Sequence, residues 1–207
     1  MIDSSTIDVG SAQAVHEAAK SSGFNMIDAP VSGGVIGADA GTLTFMCGGD
    51  KDSFEKAKPI LQGMGKNIVH CGSGGLGQAT KICNNMLAGI NALAAAEAMT
   101  MGERLGVPPD TLYKVISTST GRSYIFETSN PMPDVCSTSP ANNKFKPGFM
   151  AKLMLKDLRL SQAAAQDAKT STPLGAAATA AFQQLIDSGF GDLDTSSIIK
   201  VIKPESK

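Results

Sequence analysis

The sequence predicts an α/β segment followed by an all-α helical domain, the two joined by one long helix. Three observations carry this prediction. Up to residue 74, short apolar runs that end in glycine alternate with helical patterns, as in a sheet covered by helices. After Gly75 no strand pattern recurs. Between the two lies a glycine-rich turn feeding a proline-free run of about thirty residues. There Ala79, Ile82, Met86, Ile90, Leu93, Ala94, Ala98, Met101 and Leu105 recur at helical spacing. Ala, Leu and Met also occupy the other faces of this run, which predicts a helix wrapped by protein on most sides.

Taken in order, IDSST reads as the tail of a strand, and VGSAQAVHEAAKSSG as a helix with Val15, Ala18 and Ala19 inward and Gly23 as its stop. NMIDAPVSGG is a second short strand running into glycines. GGVIGADAGTL is a loop whose four glycines permit close backbone approaches. TLTFMCGG is a third strand, DKDSFEKAKPILQGMG an amphipathic helix behind an Asp cap, and NIVHCG a fourth strand. Beyond the long helix, PPDTLYKVISTST is a helix opened by proline. Residues 122–149, with four prolines and many Asn and Ser, form a long irregular connection of the kind that often carries function. FMAKLMLKDLRLSQAAAQDAKT and PLGAAATAAFQQLIDSGFG are two further helices, the second with a glycine stop, and TSSIIKVI is a short last one. The polar tail KPESK is expected to fray.

Composition excludes several classes of function. With 42% hydrophobic and 18% charged residues, the chain has the balance of a soluble globular protein. A net charge of −1 advertises neither nucleic acid nor an anionic membrane. Apolar runs are broken well short of the ~20 residues that a membrane span needs. The four cysteines form no CxxC pair, which is the pattern of reduced thiols, and no metal-ligand spacing is present. MIDSST shows neither signal-peptide nor transit-peptide character.

The chemistry-bearing residues fall in three clusters. Lys81 and Asn85, four apart on the long helix, project from one face. On spacing alone, a lysine snorkelling to water and a locally bonded asparagine would look the same. Ser32, Gly33 and Gly34 put a hydroxyl and unobstructed N–H groups at a strand end, which suits a carboxylate or phosphate and equally an ordinary turn. Lys156 and Asp157 lie together on a helix, where solvated charges would also sit. A literal GxGxxG (Gly72, Gly74, Gly77) precedes the long helix, but the acidic residue about 20 positions on, Glu97, lies mid-helix with no strand in between. These glycines therefore read as close-packing positions that let the first helical turn present Lys81.

DAPVSGG (28–34) followed by LTFMCGG, GLGQATKICNNML (75–87) and GFMAKLMLKDL (148–158) together resemble the 3-hydroxyacid dehydrogenase family. NPMP and ANN (141–143) point within it toward the 3-hydroxyisobutyrate dehydrogenases. The resemblance covers essentially the whole chain. It implies a partial Rossmann-type segment over residues 1–74, an all-helical substrate and oligomerisation domain over 75–207, and hydride transfer between NAD, with NADP not excluded, and a small 3-hydroxy acid. The implied reaction is oxidation of 3-hydroxyisobutyrate to methylmalonate semialdehyde in valine degradation, with no metal. Lys81 matches the catalytic lysine and Asn85 its substrate-orienting partner. Ser32, Gly33 and Gly34 match the carboxylate-receiving segment, and Thr6, Phe149, Lys156 and Asp157 match positions on the cofactor side. Acting as a base near neutrality requires the free lysine pKa of ~10.4 to be lowered by burial or nearby charge. The resemblance further implies a homo-oligomer, dimer or tetramer, without nucleic-acid or membrane partners. It implies mitochondrial residence in a eukaryote and cytoplasmic residence otherwise.

The family's cofactor domain opens with a strand, a glycine fingerprint and an acidic ribose ligand upstream of DSST. The expectation from sequence is therefore that the first part of the cofactor domain is lacking, leaving the dehydrogenase impaired. A semialdehyde or glyoxylate reductase and a non-catalytic helical assembly module stand as alternatives.

Overall fold

The computed structural model describes residues 1–203, and 204–207 of the polar tail lie outside them. The chain divides into two compact units: Met1–Asn84 with Ala163–Thr170, and Asn85–Gln162 with the chain from Ser171 onward.

In the first unit, β1 (Ile2–Asp3), α1 (Val9–Ser21) and β2 (Ile27–Asp28) form a β-α-β unit with parallel strands, Ile2 opposite Ile27. Asp8 caps α1 by accepting from Ser11 N at 2.7 Å. Gly23 closes the helix at φ 77°, as its sequence predicts. The inward face differs from the prediction: Ala12 and Ala19 are buried, whereas Val15 and Ala18 are exposed. The reason is His16, which turns inward to a buried carboxylate on β2 and so sets the rotation of the helix.

The second predicted strand is split at Pro30, which has no N–H for the ladder. β2 before it and β3 (Val31–Ser32) after it keep one antiparallel register against β4 (Leu43–Gly48), with Asp28 opposite Gly48 and Val31 opposite Phe45. β5 (Gly65–Gly72) runs parallel to β4, which completes a mixed five-stranded sheet. The glycine-rich stretch predicted as a loop contains a short helix, α2 (Gly34–Asp39). It opens at Gly33, whose φ of 133° suits glycine, and its first bond runs from Gly37 N to Gly33 O at 2.9 Å. Helix α3 (Lys51–Leu61) lays Phe54, Ala57 and Leu61 against Leu43, Phe45 and Cys47 of β4. Burial pushes the Cys47 thiol up to about 11, so it behaves as a core residue.

Asp50 caps α3 through Ser53 N at 2.9 Å and Ser53 Oγ at 2.6 Å. The Ser53 hydroxyl bond at Asp50, and the Ser11 N–H bond at Asp8, hold both carboxyls below their ordinary value of 3.8. A lowered folded-state pKa adds stability that is fully present above the unfolded value and is lost as pH falls through the folded one. Asp50→Ala is therefore expected to cost about 1 kcal/mol at neutral pH. In denaturant titrations the gap to wild type should narrow as pH drops below 3.8. A gap that stays constant into strong acid would count against the caps acting as ionised acceptors.

The division between units falls within α4 (Leu76–Arg104), a single helix of 29 residues. The second unit adds α5 (Pro109–Ser117), α6 (Tyr124–Thr128), α7 (Ala151–Asp167) as far as Gln162, α8 (Pro173–Leu185) and α9 (Ile199–Ile202). Its core gathers Ala96, Met99, Leu155, Leu158, Phe182, Leu185 and Ile198. The long helix is less enclosed than its composition predicts. Ala92, Ala95, Ala96 and Met99 are buried, but Leu87, Met101 and Leu105 are 57, 62 and 74% exposed. The alanines and Met99 mark the side packed into the helical core, and Leu87, Met101 and Leu105 form a stripe open to solvent. A shallow groove beside the stripe is lined by Glu97, Met101, Leu105 and Ile202.

The connection predicted as irregular contains α6 and a 3₁₀ turn at Pro140–Asn143. Asn130, fully buried, donates to Phe126 O at 3.2 Å and accepts from Met132 N at 3.1 Å. Asn142 accepts from Asp134 N at 2.7 Å and donates to Cys136 O at 2.8 Å. The NPMP and ANN segments thus supply the backbone bonds that a proline-rich stretch cannot make for itself.

Candidate active site

The first unit builds one group of predicted residues around the β2–β3 run. Lys81, on the second turn of α4, is 9% exposed, and its Nζ donates to the Val31 carbonyl at 2.6 Å. Val31 immediately precedes half-buried Ser32 and exposed Gly33 and Gly34, so the amine is held at the root of that segment. Thr6, half-buried, follows the carboxyl end of β1. That is the end of a parallel strand at which open α/β sheets take nucleotides.

Three residues beneath this group carry no sequence-based assignment. Asp28 is 1% exposed and accepts three bonds. Gly75 N at 2.8 Å and His16 Nε2 at 2.8 Å reach Oδ1, and Gln78 N at 3.0 Å reaches Oδ2. Gln78, fully buried, accepts from Ile7 N at 3.2 Å and donates to Ser5 O at 2.7 Å. The signal that could have exposed Asp28 is an acidic residue closing an apolar strand immediately before Ala-Pro, where burial demands partners.

The glycines of the literal fingerprint make these approaches possible. A Cβ on Gly74 would lie 2.5 Å from the His16 ring, and one on Gly77 would lie 2.3 Å from Met46 O and 2.6 Å from Asp28 Oδ2. Gly75 stands at φ 86°. The turn packs closely and delivers Lys81, in line with the close-packing reading of these glycines.

The second unit holds the other group. Asn85, 5% exposed and one turn beyond Lys81 on α4, donates from Nδ2 to Asp157 Oδ2 at 2.5 Å. Lys156 Nζ lies 3.0 Å from the other oxygen of Asp157, with the lysine half exposed and the carboxylate buried. Phe149, just ahead of α7, is half-buried. Its N–H and that of Gly148 both donate to Asp194 Oδ2 at 3.0 Å, while Oδ1 of the same carboxylate takes Ser196 N at 2.9 Å. Asp194 thus fixes the entry to the helix that carries Lys156 and Asp157, and it too is absent from the sequence-based assignments.

Residues 75–202 match the family model described as NAD-binding of NADP-dependent 3-hydroxyisobutyrate dehydrogenase. The chain belongs to the 3-hydroxyisobutyrate dehydrogenase family. Residues 1–72 match the NAD binding domain of 6-phosphogluconate dehydrogenase. Among solved structures, a 3-hydroxyisobutyrate dehydrogenase of Mycobacterium tuberculosis, described with L-serine, superposes with a TM-score of 0.93 at 44% identity, covering 98% of this chain and 69% of that one. A probable 3-hydroxyisobutyrate dehydrogenase of Mycobacterium tuberculosis is 45% identical over 98% of this chain and 68% of its own length. An NAD-dependent L-serine dehydrogenase of Pseudomonas aeruginosa is 43% identical over 99% and 68%. Mitochondrial and bacterial relatives both occur.

As a member of the 3-hydroxyisobutyrate dehydrogenase family, the chain is an NAD(P)-dependent oxidoreductase of that type. The expectation that the first part of the cofactor domain is lacking is corrected by the family match over residues 1–72. Those residues fold as the parallel β-α-β unit and mixed sheet described above. A literal glycine fingerprint does not define such a segment, because its fold is carried by strand pairing. The impairment inferred from its absence, and the non-catalytic assembly reading that drew on it, lose their basis.

Proposed function

We propose that the chain oxidises 3-hydroxyisobutyrate to methylmalonate semialdehyde with NAD, a step of valine degradation, and that Lys81 is its acid–base group. The observation that carries this reading is the nearly buried Lys81 amine held by the Val31 carbonyl at 2.6 Å, directly ahead of Ser32-Gly33-Gly34. In this reading the Ser32 hydroxyl and the Gly33 and Gly34 N–H groups receive the substrate carboxylate, and Asn85, its amide fixed by Asp157, orients the hydroxyl. Thr6, Phe149, Lys156 and Asp157 serve the cofactor. A hydroxyl after β1 and a half-exposed ammonium fit the amide and phosphate groups of a dinucleotide. When bound, the nicotinamide supplies the hydride acceptor. Neutral Lys81 Nζ takes the hydroxyl proton as the carbinol becomes a carbonyl, and the resulting ammonium returns a proton in the reductive direction. The Val31 carbonyl accepts from Nζ in both states and keeps it placed.

The domain division at residues 74 and 75 belongs to the same reading. So does a homo-oligomer, for which the open apolar stripe of Leu87, Met101 and Leu105 is the support. Residence follows the mitochondrial relatives if the chain is eukaryotic and the bacterial ones otherwise.

One second reading has a specific observation behind it. L-serine is also a 3-hydroxy acid, with an amino group where 3-hydroxyisobutyrate has a methyl, and a 43% identical relative is an L-serine dehydrogenase. Steady-state assays with both acids and both nicotinamide cofactors decide. The expected result is a kcat/KM for 3-hydroxyisobutyrate at least about tenfold above that for L-serine, the size of preference one methyl group can confer. A preference for serine, or faster reduction of glyoxylate or tartronate semialdehyde than of methylmalonate semialdehyde, would replace the proposed substrate.

A further inference from the structure

We propose that Asp28 is a positioning residue for Lys81, acting through the first turn of α4. The inference rests on Lys81 being the acid–base group. An ionised carboxylate only accepts hydrogen bonds, and Asp28 uses both oxygens to do so, taking Gly75 N and Gln78 N from the start of α4 at 2.8 and 3.0 Å. It supplies from a remote strand the cap that a helix usually finds in its own sequence. Its charge also complements the positive end of the helix. His16 Nε2, donating at 2.8 Å, fixes the rotation of the carboxylate.

Two routes lead from Asp28 to the amine. Along α4, Gln78 precedes Lys81 by less than one turn, so capping Gln78 fixes the lysine backbone. Along the strand, Ala29 and the rigid Pro30 separate Asp28 from Val31, whose carbonyl takes the Lys81 amine at 2.6 Å. The strand and helix are thereby tied at both ends of one short closed circuit that includes the amine. The walls are equally fixed: a Cβ on Gly48 would meet Asp28 Oδ1 at 2.4 Å, and one on Gly77 would meet Oδ2 at 2.6 Å.

Asp28→Asn keeps the shape of the side chain but turns an N–H donor toward a helix N–H. The expected result in the full chain is a kcat lowered about 10- to 100-fold, the scale of a displacement near 1 Å in a reacting group. The KM for the hydroxy acid and the Kd for the cofactor should stay within about threefold, because neither is bound by Asp28. Asp50→Ala, which removes a cap of the same kind from α3, is the comparison. It should lower Tm and leave kcat within about twofold. A kcat loss in Asp28→Asn no greater than in Asp50→Ala, or a loss shared equally by KM, would overturn the proposal. If Asp28→Asn does not accumulate as folded protein, His16→Ala decides. It leaves both helix bonds and should lower kcat about three- to tenfold at unchanged KM, and an unchanged kcat would overturn the proposal. Lys81→Arg, assayed alongside, tests the underlying reading separately. If it keeps wild-type turnover, the lysine assignment fails whatever Asp28→Asn does, and this inference fails with it.

Discussion

Lys81→Ala is expected to lower kcat by about 10²–10⁴-fold, the usual contribution of a positioned acid–base group. The hydroxyl proton then has to leave to water or to a group not placed to receive it, while hydride transfer still demands its departure. The substitution removes a side chain that is 9% exposed and leaves the Val31 carbonyl without the amine it accepts from. A modest loss of stability should accompany the catalytic defect, on the order of 1 kcal/mol. The measurements are single-turnover hydride transfer, followed by nicotinamide absorbance, and cofactor affinity by fluorescence titration. Chemistry should collapse while cofactor affinity changes little, since Lys81 is not assigned to the dinucleotide. Turnover within about tenfold of wild type would remove Lys81 from the reaction.

The largest expected effect on stability lies in the helical unit, at Phe182. This side chain is 0% exposed and belongs to the cluster with Met99, Leu155, Leu158, Leu185 and Ile198. Phe182→Ala removes most of a ring from a close-packed interior and should cost about 3–5 kcal/mol. Against the ~5–15 kcal/mol that holds a typical protein folded, that is a large share. A chain of this size loses about 2–4 °C of Tm per kcal/mol, so a fall of about 6–20 °C is expected in calorimetry. Leu87→Ala is the comparison, because that leucine is 57% exposed on α4. It should lie within about 0.5 kcal/mol of wild type if the protein is studied dilute. Equal losses at the two positions would mean that the stripe bearing Leu87 is as enclosed as the core.

What could be read from the sequence was local. The capping of α3 by Asp50, the stop at Gly23, the proline opening α5 and the 29-residue α4 follow from residues within a few positions of each feature. Lys81, Asn85, Ser32 and Lys156 stand out as candidates because clusters of reactive residue types at recognisable spacing survive in one dimension. What could not be read depends on partners distant in sequence. The strand broken at Pro30 keeps its register only because β4 lies beside it. The face that α1 turns inward is set by a carboxylate twelve residues on. Asn130 and Asn142 order a stretch that reads as loop because its bonds are made by side chains, which leave no periodicity. The extent of the cofactor segment is illegible for the same reason, since a parallel β-α-β unit is defined by pairing and not by a motif.

The cap on α4 comes from a residue 47 positions before Gly75 and 50 before Gln78. An ordinary helix end frays on its own, exchanging its first amide protons with solvent while the rest of the protein stays folded. Here the amide hydrogens of Gly75 and Gln78 are released only when the strand bearing Asp28 also lets go, so the opening of this helix end is tied to the opening of the sheet. During folding the closure of that long loop must come first. A chain with α4 already wound but β2 not yet paired has the lysine without its place.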